Sequence, residues 1–164
     1  MGAPPTTAAP VRAAAPARLH VQHALEAAVL VELNRVRREH GLAPLTASKP
    51  LAAAAAGHSR EMASSGYFAH EDALGRPFWK RIETAYPSRG WSLWSVGENL
   101  LWSSPDVDAP HAIQLWLDSP EHRRNMLSPK WREVGLSAVH AESAPGSYQG
   151  LEVTIVTADF GVRR

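Results

Sequence analysis

Cysteine is absent from the 164-residue chain, which excludes disulfide frameworks, thiolate zinc sites, thiol nucleophiles and iron–sulfur clusters together. Any bound metal must use His, Asp or Glu. An excess of either charge is also missing: 17 Lys and Arg stand against 16 Asp and Glu, for a formal net charge of +1. A nucleic-acid-binding domain of this size carries a basic excess arranged as a stripe, so nucleic acid is not an expected partner. No run approaches the about 20 apolar residues that span a membrane. The sequence has no Gly-rich phosphate loop, no HExxH pair and no G-x-S-x-G elbow. Nucleotide chemistry and the common hydrolase motifs are thereby disfavoured.

Pro and Ala dominate the beginning. The first 18 residues hold seven Ala and four Pro, no acidic residue and, after Met1, no large apolar residue except Val11, a composition that cannot offset the entropy of ordering. Residues 1–19 read as a disordered leader, and residues 20–164 as one domain large enough to bury a core without staples. A Pro/Ala-rich tether of this kind is common in exported proteins.

Within the domain, Leu25, Val29, Leu33 and Val36 recur at helical spacing between His20 and His40, with Gly41 as the stop. Leu51 to Ser64 reads as an Ala-rich helix with Ser48 as a candidate cap and Gly66 as its end. A third helical piece covers Pro77 to Ala85, and a fourth Pro110 to Leu117, stopped at Pro120. VGENLLW reads as a strand or its entry turn. Glu133 to Val139 and Leu151 to Ala158 are β-branched-rich runs joined by a Ser/Pro/Gly segment, the pattern of a hairpin. Helices first and antiparallel strands last give an α+β class, with helices packed on a small sheet.

Eight His remain as carriers of chemistry. His20, His23, His40, His111 and His140 lie in leader, helix-end or turn contexts that read as solvated surface. His58, three residues before Glu61 on the second helix, is explained by a helix pair or a buried hydrogen bond. His70, in Tyr67-Phe68-Ala69-His70, projects from a loop just past a helix stop, where sites concentrate. His122, in Ser119-Pro120-Glu121-His122, sits in a capped, Pro-led helical start. Glu98 stands inside an apolar run, so its carboxylate is either at an exposed edge or buried and in need of a partner. Trp116 and Trp131 read as core, whereas Trp91, Trp94 and Trp102 read as core or as the lining of an apolar groove near Glu98.

The order of these pieces resembles the CAP superfamily, the SCP or cysteine-rich secretory, antigen 5 and pathogenesis-related type, and within it the cysteine-free bacterial branch. The resemblance rests on Leu33-Asn34-Arg35-Val36-Arg37 with HGLAPL, then AAGHSREM, YFAH, GENL, WLDSPEHRRNML and EVGLSAV, and covers residues 24–160. It implies a three-layer α-β-α sandwich with a small, mainly antiparallel central sheet, export to the extracellular space or cell envelope, and a cleft holding two His and two acidic residues. By motif these are His70, Glu98 and His122, with Asp118 or Ser119 at the fourth position. Two imidazoles and a carboxylate suit a divalent metal, Zn²⁺ being the expected one, with a position left for water. Such a cleft serves either a ligand-binding or envelope-interaction module, with lipid, sterol, cell-wall or protein partners, or a metal-dependent hydrolase with Glu98 in the catalytic role.

Overall fold

The computed structural model describes residues 18–164, and most of the expected leader therefore lies outside the described residues. Strand β1 (Leu19–Val21) precedes helix α1 (His23–Glu39), so the first helix starts three residues later than its apolar spacing suggests. His20 belongs to a strand and pairs with His140. Then come β2 (Thr46–Ala47), α2 (Lys49–Ser65), α3 (Phe78–Ala85), β3 (Trp94–Ser103), α4 (Ala109–Asp118), α5 (Pro120–Met126), β4 (Glu133–Ala141) and β5 (Val153–Arg163). Pro120 both ends α4 and opens α5, because proline's missing N–H is harmless at the first helical position. Ser119, expected to cap that start, makes no side-chain cap bond.

The sheet runs β1-β4-β5-β3, with β2 added in parallel to the outer side of β4. All other pairings are antiparallel. Alternation along the strands sorts the core into two layers. Val156, Ala158, Phe160 and Val162 of β5 meet Val29, Leu33 and Val36 of α1 and Ile113 and Trp116 of α4. Val153 and Ile155 point the other way, to Met62 and Ala63 of α2. On that same side Leu51 and Ala54 of α2 pack with Ile82 and Tyr86 next to α3. The result is the α-β-α sandwich: α1, α4 and α5 on one face, α2 and α3 on the other.

Two glycines set the spacing of α2. A Cβ on Gly135 would lie 2.0 Å from the Ala52 nitrogen and 2.1 Å from the Leu51 carbonyl carbon, so β4 can pass beneath the first turn of α2 only without a side chain there. Gly66 closes the helix at φ 73°, and its carbonyl accepts a 2.7 Å bond from Ser147 in the β4–β5 connection. Trp116 and Trp131 are core residues, as expected. His140 departs from expectation: its side chain is only 13% exposed and lies 3.0 Å from Glu152 Oε1 and 3.1 Å from Thr154 Oγ1.

Candidate functional site

Strand β3 forms one edge of the sheet, and consecutive residues Gly97, Glu98 and Asn99 there face alternate layers. A Cβ on Gly97 would fall 2.7 Å from both Asn125 Oδ1 and the Trp131 ring, so this glycine admits α5 and the loop after it. Asn99 ties α5 down by donating from Nδ2 to the His122 carbonyl (3.0 Å) and accepting from Asn125 Nδ2 (3.0 Å). Glu98 turns to the opposite layer, toward α3 and the loop after α2. The GEN triplet thus joins both helical layers at the open sheet edge, and the cleft is the space between them.

The side chain of Glu98 is fully buried. Its Oε1 accepts a 2.8 Å hydrogen bond from His70 Nδ1, and its Oε2 accepts from the Arg81 guanidinium. A carboxylate only accepts, so Nδ1 carries the hydrogen and Nε2 of His70 is the nitrogen not engaged with Glu98. Arg81, on α3, also reaches Asp159 Oδ2 at 3.4 Å and the Ala54 carbonyl at 3.3 Å. Asp159 is the direct cross-strand partner of Glu98 and is wholly buried. Two buried carboxylates therefore share one guanidinium.

Burial works against charge on Glu98, but the His70 bond and the Arg81 charge outweigh it and hold the carboxyl below its ordinary range. Burial, with Glu98 alongside, pushes Asp159 well above its ordinary range, opposite to Glu98. The Glu98 bond raises His70. His122 moves the other way, lowered by burial and by the neighbouring His70. One imidazole is biased toward its charged form and the other toward its neutral form.

The loop carrying His70 is fixed from both sides. His58, fully buried on α2, donates from Nε2 to the Ala69 carbonyl at 2.9 Å, which settles it as a loop-ordering residue. Asp72 accepts from the Leu74 and Arg76 backbone N–H groups at 3.0 and 2.9 Å and pairs with Arg76 Nε at 2.6 Å. Between the two, the imidazole is held over a cleft of about 420 Å³. Phe78 lies beside it, the ring centroids 6.1 Å apart, and His122 lines the same cleft.

His70, Glu98 and His122 are thus brought to one place, whereas the expected fourth position is not filled by either candidate. Asp118 is exposed and accepts from Gln114 on its own helix at 2.7 Å. Ser119 lines an adjoining apolar groove with Phe68, Trp102 and Leu115. The acidic residues at the cleft rim are Glu71 and Glu121, each next to one of the imidazoles in sequence. His122 lines both cleft and groove. Trp102 keeps 37% exposure in that groove, while Trp91 lies away from it, beneath the Arg163 guanidinium. Trp94 donates to the Tyr86 carbonyl at 2.8 Å.

The sequence model of the cysteine-rich secretory protein family, CAP, matches residues 30–160. The chain belongs to the CAP family. Among curated proteins it is 31% identical over 116 residues to the uncharacterized membrane protein YlbC of Bacillus subtilis, covering 71% of this chain and 32% of that one. It is 30% identical over 116 residues to the uncharacterized protein YkwD of the same organism, covering 70% and 42%. This CAP chain therefore spans about a third to two-fifths of the curated relatives it matches. An extracellular SCP-domain protein of Bacillus anthracis superposes with a TM-score of 0.65 at 25% identity, covering 87% of this chain and 41% of the other. An outer surface protein of Borrelia burgdorferi gives the same TM-score at 18% identity, covering 83% and 90%, and shares the fold.

Arg81 and Asp159 were not among the residues the sequence singled out. Asp159 carried the signal that marked Glu98, a lone carboxylate in an apolar strand. Arg81 looked like any basic residue of a short helix.

A zinc centre ligated by His70, Glu98 and His122 together does not fit this geometry. Both Glu98 oxygens are already engaged, one of them by a permanent cation that opposes a divalent ion. Among the described residues no three His, Asp or Glu side chains are grouped closely enough to hold one ion. What the geometry provides is a buried carboxylate behind an imidazole, the support that orients histidine as a ligand, and a second imidazole across the cleft.

Proposed function

We propose that this chain is the ligand-recognition module of a protein exported to the cell surface or envelope, and that the cleft between His70 and His122 is where it binds. The observation that carries this reading is Glu98 held between His70 and Arg81, a buried ion pair spent on fixing one cleft imidazole. The Bacillus anthracis SCP-domain protein is described as extracellular, which supports the placement. The adjoining groove supports an amphipathic ligand, lipid or cell-wall component, with a polar part between the imidazoles and an apolar part along Phe68 and Trp102.

A divalent cation such as zinc belongs to the same reading, held by the two imidazoles, with Glu98 as their support rather than as a ligand. Bound there, it would supply a positive centre for an anionic or carbonyl group of the ligand. Hydrolysis has less support, because a general base must be free to take a proton from water, and both Glu98 oxygens are occupied.

Zinc titration by calorimetry is the test. One weak site is expected, absent from His70→Ala/His122→Ala. Glu98→Gln should weaken it about ten- to a hundred-fold, the usual cost of losing a supporting carboxylate. Complete loss in Glu98→Gln, with the fold intact, would make Glu98 a ligand. No binding heat in the unmodified chain would remove the cation from the proposal.

A further inference from the structure

The opposite edge of the sheet carries a second depression. There β4 is covered at its ends, by β1 along residues 139–141 and by β2 along 133–134. The Val134 carbonyl accepts from the Ser48 N–H and the Ala138 carbonyl from the Gln22 N–H, both at 2.9 Å, while the Ala138 N–H donates to Glu26 Oε1 at 3.0 Å. Backbone alternation then turns the N–H and C=O of Leu136, midway between them, to the same side. They face the gap between the two short strands. The gap opens into a depression of about 420 Å³ whose apolar walls include Leu30, Ala52, Val134 and Leu136. Ser48 and Lys49 stand at the Val134 end, and Glu26, paired with His23, at the Ala138 end.

Ser48 is the anomaly. It occupies the N-cap of the 17-residue helix α2, where a serine oxygen ordinarily accepts a first-turn N–H, yet its side chain makes no cap bond. The residue is 5% exposed and, among the described residues, its Oγ has no hydrogen-bond partner. The first turn holds no acidic residue to serve instead. A buried hydroxyl is costly to leave unsatisfied, and it stands here beside an uncapped helix start, the exposed Lys49 side chain and an apolar hollow. Those features suit a carboxylate.

We propose that this depression binds the C-terminus of an extended peptide ending in an apolar residue. The terminal carboxylate sits at the start of α2, accepting from the Ser48 hydroxyl after rotation about Cα–Cβ and pairing with Lys49. The peptide main chain adds to the open β4 edge at Leu136, and its last side chain rests on Leu30 and Val134. The exposed edge selects a peptide over a fatty carboxylate, which would use the cation and the apolar walls but leave the backbone groups of Leu136 unmatched.

The test is amide NMR on the labelled full chain, titrated with N-acetyl-Gly-Ala-Leu, with the same peptide as its C-terminal amide, and with octanoate. Saturable shifts are expected at Ala47, Ser48, Lys49 and Leu136. The free acid should bind at least about tenfold more tightly than the amide, since a charge-assisted bond of about 1.5 kcal/mol or more is lost, and more tightly than octanoate. Ser48→Ala should weaken the acid several-fold, and Lys49→Gln, at an exposed position that leaves folding intact, should do the same. His70→Ala/His122→Ala should change nothing here, which separates this site from the cleft. The proposal is overturned by absent shifts at millimolar peptide, by equal affinity of acid and amide, or by octanoate binding as tightly as the peptide.

Discussion

Replacing Arg81 by methionine removes the one cation between two buried carboxylates while keeping most of the side chain's apolar stem. The Arg81 side chain is 12% exposed, and both Glu98 and Asp159 side chains are fully buried, so solvent can do little to replace it. Breaking a buried pair from one side costs about 3–5 kcal/mol, a large part of the 5–15 kcal/mol that holds a typical domain together. For a domain of this length that amounts to roughly 6–20 °C in Tm. The pH dependence is more diagnostic than the size. In the natural chain Glu98 is lowered, so its contribution is full above the unfolded carboxyl pKa and is lost as pH falls through the folded value. Asp159 is already raised in the natural chain, with Arg81 holding it down in part, so it contributes a decline in stability as pH rises through its folded value. Without Arg81 both folded carboxyl values move up, the Glu98 contribution above the unfolded carboxyl pKa shrinks, and the decline steepens, so the loss should be larger at pH 7 than at pH 5. Urea unfolding followed by tryptophan fluorescence at pH 5 and pH 7 reads both effects. A loss under about 1 kcal/mol, with the two proteins equally dependent on pH, would refute the argument that Arg81 neutralises this pair.

Two glycines offer opposite expectations. Gly135→Ala drives a Cβ into the backbone of α2 and should cost about 3 kcal/mol or more, whereas Gly57→Ala, mid-helix with nothing within 4 Å, should stabilise by about 0.5–1 kcal/mol; a destabilised Gly57→Ala would contradict the described packing of α2. Histidine proton NMR should place the pKa of His70 above the ordinary imidazole value and that of His122 below it. In Glu98→Gln the His70 value should fall and His122, relieved of a charged neighbour, should rise. The raised His70 stabilises the fold at low pH and loses that contribution as pH climbs through its folded pKa, while the lowered His122 acts in the opposite sense. Asp118→Asn should leave zinc or ligand binding at the cleft unchanged, and Glu121→Gln should reduce affinity for any cation; the reverse result would return the fourth position to Asp118.

The elements that could be read in the sequence are those whose signal is local. The apolar spacing of α1, the Gly66 stop, the Pro-led start of α5 and the β-branched runs of β4 and β5 each report on a neighbourhood of a few residues. β1 could not be read that way: three residues of mixed character become a strand only because β4 presents an open edge at residues 139–141. His140 was misplaced for the same reason, since its burial comes from Asp106, Thr154 and Glu152, which approach from other segments.

The cleft divides along the same line. His70, Glu98 and His122 were legible because each stands in a short motif whose chemistry is odd for its surroundings, and the GEN triplet proves to encode both faces of the site at once. The motif left the fourth position between Asp118 and Ser119, and α4 ends at Asp118 while α5 begins at Pro120. Side-chain directions that follow 100° per residue along one helix do not carry across that break. Proline's restart of the helix leaves Asp118 bonded to Gln114 and carries Glu121 to the cleft rim beside His122. Arg81 was hidden by a different cause: its meaning lies wholly in being 78 residues from Asp159 in sequence and next to it in space. A site built on a buried charge pair shows one half of the pair as an anomaly in an apolar strand, and conceals the other half among ordinary surface charges.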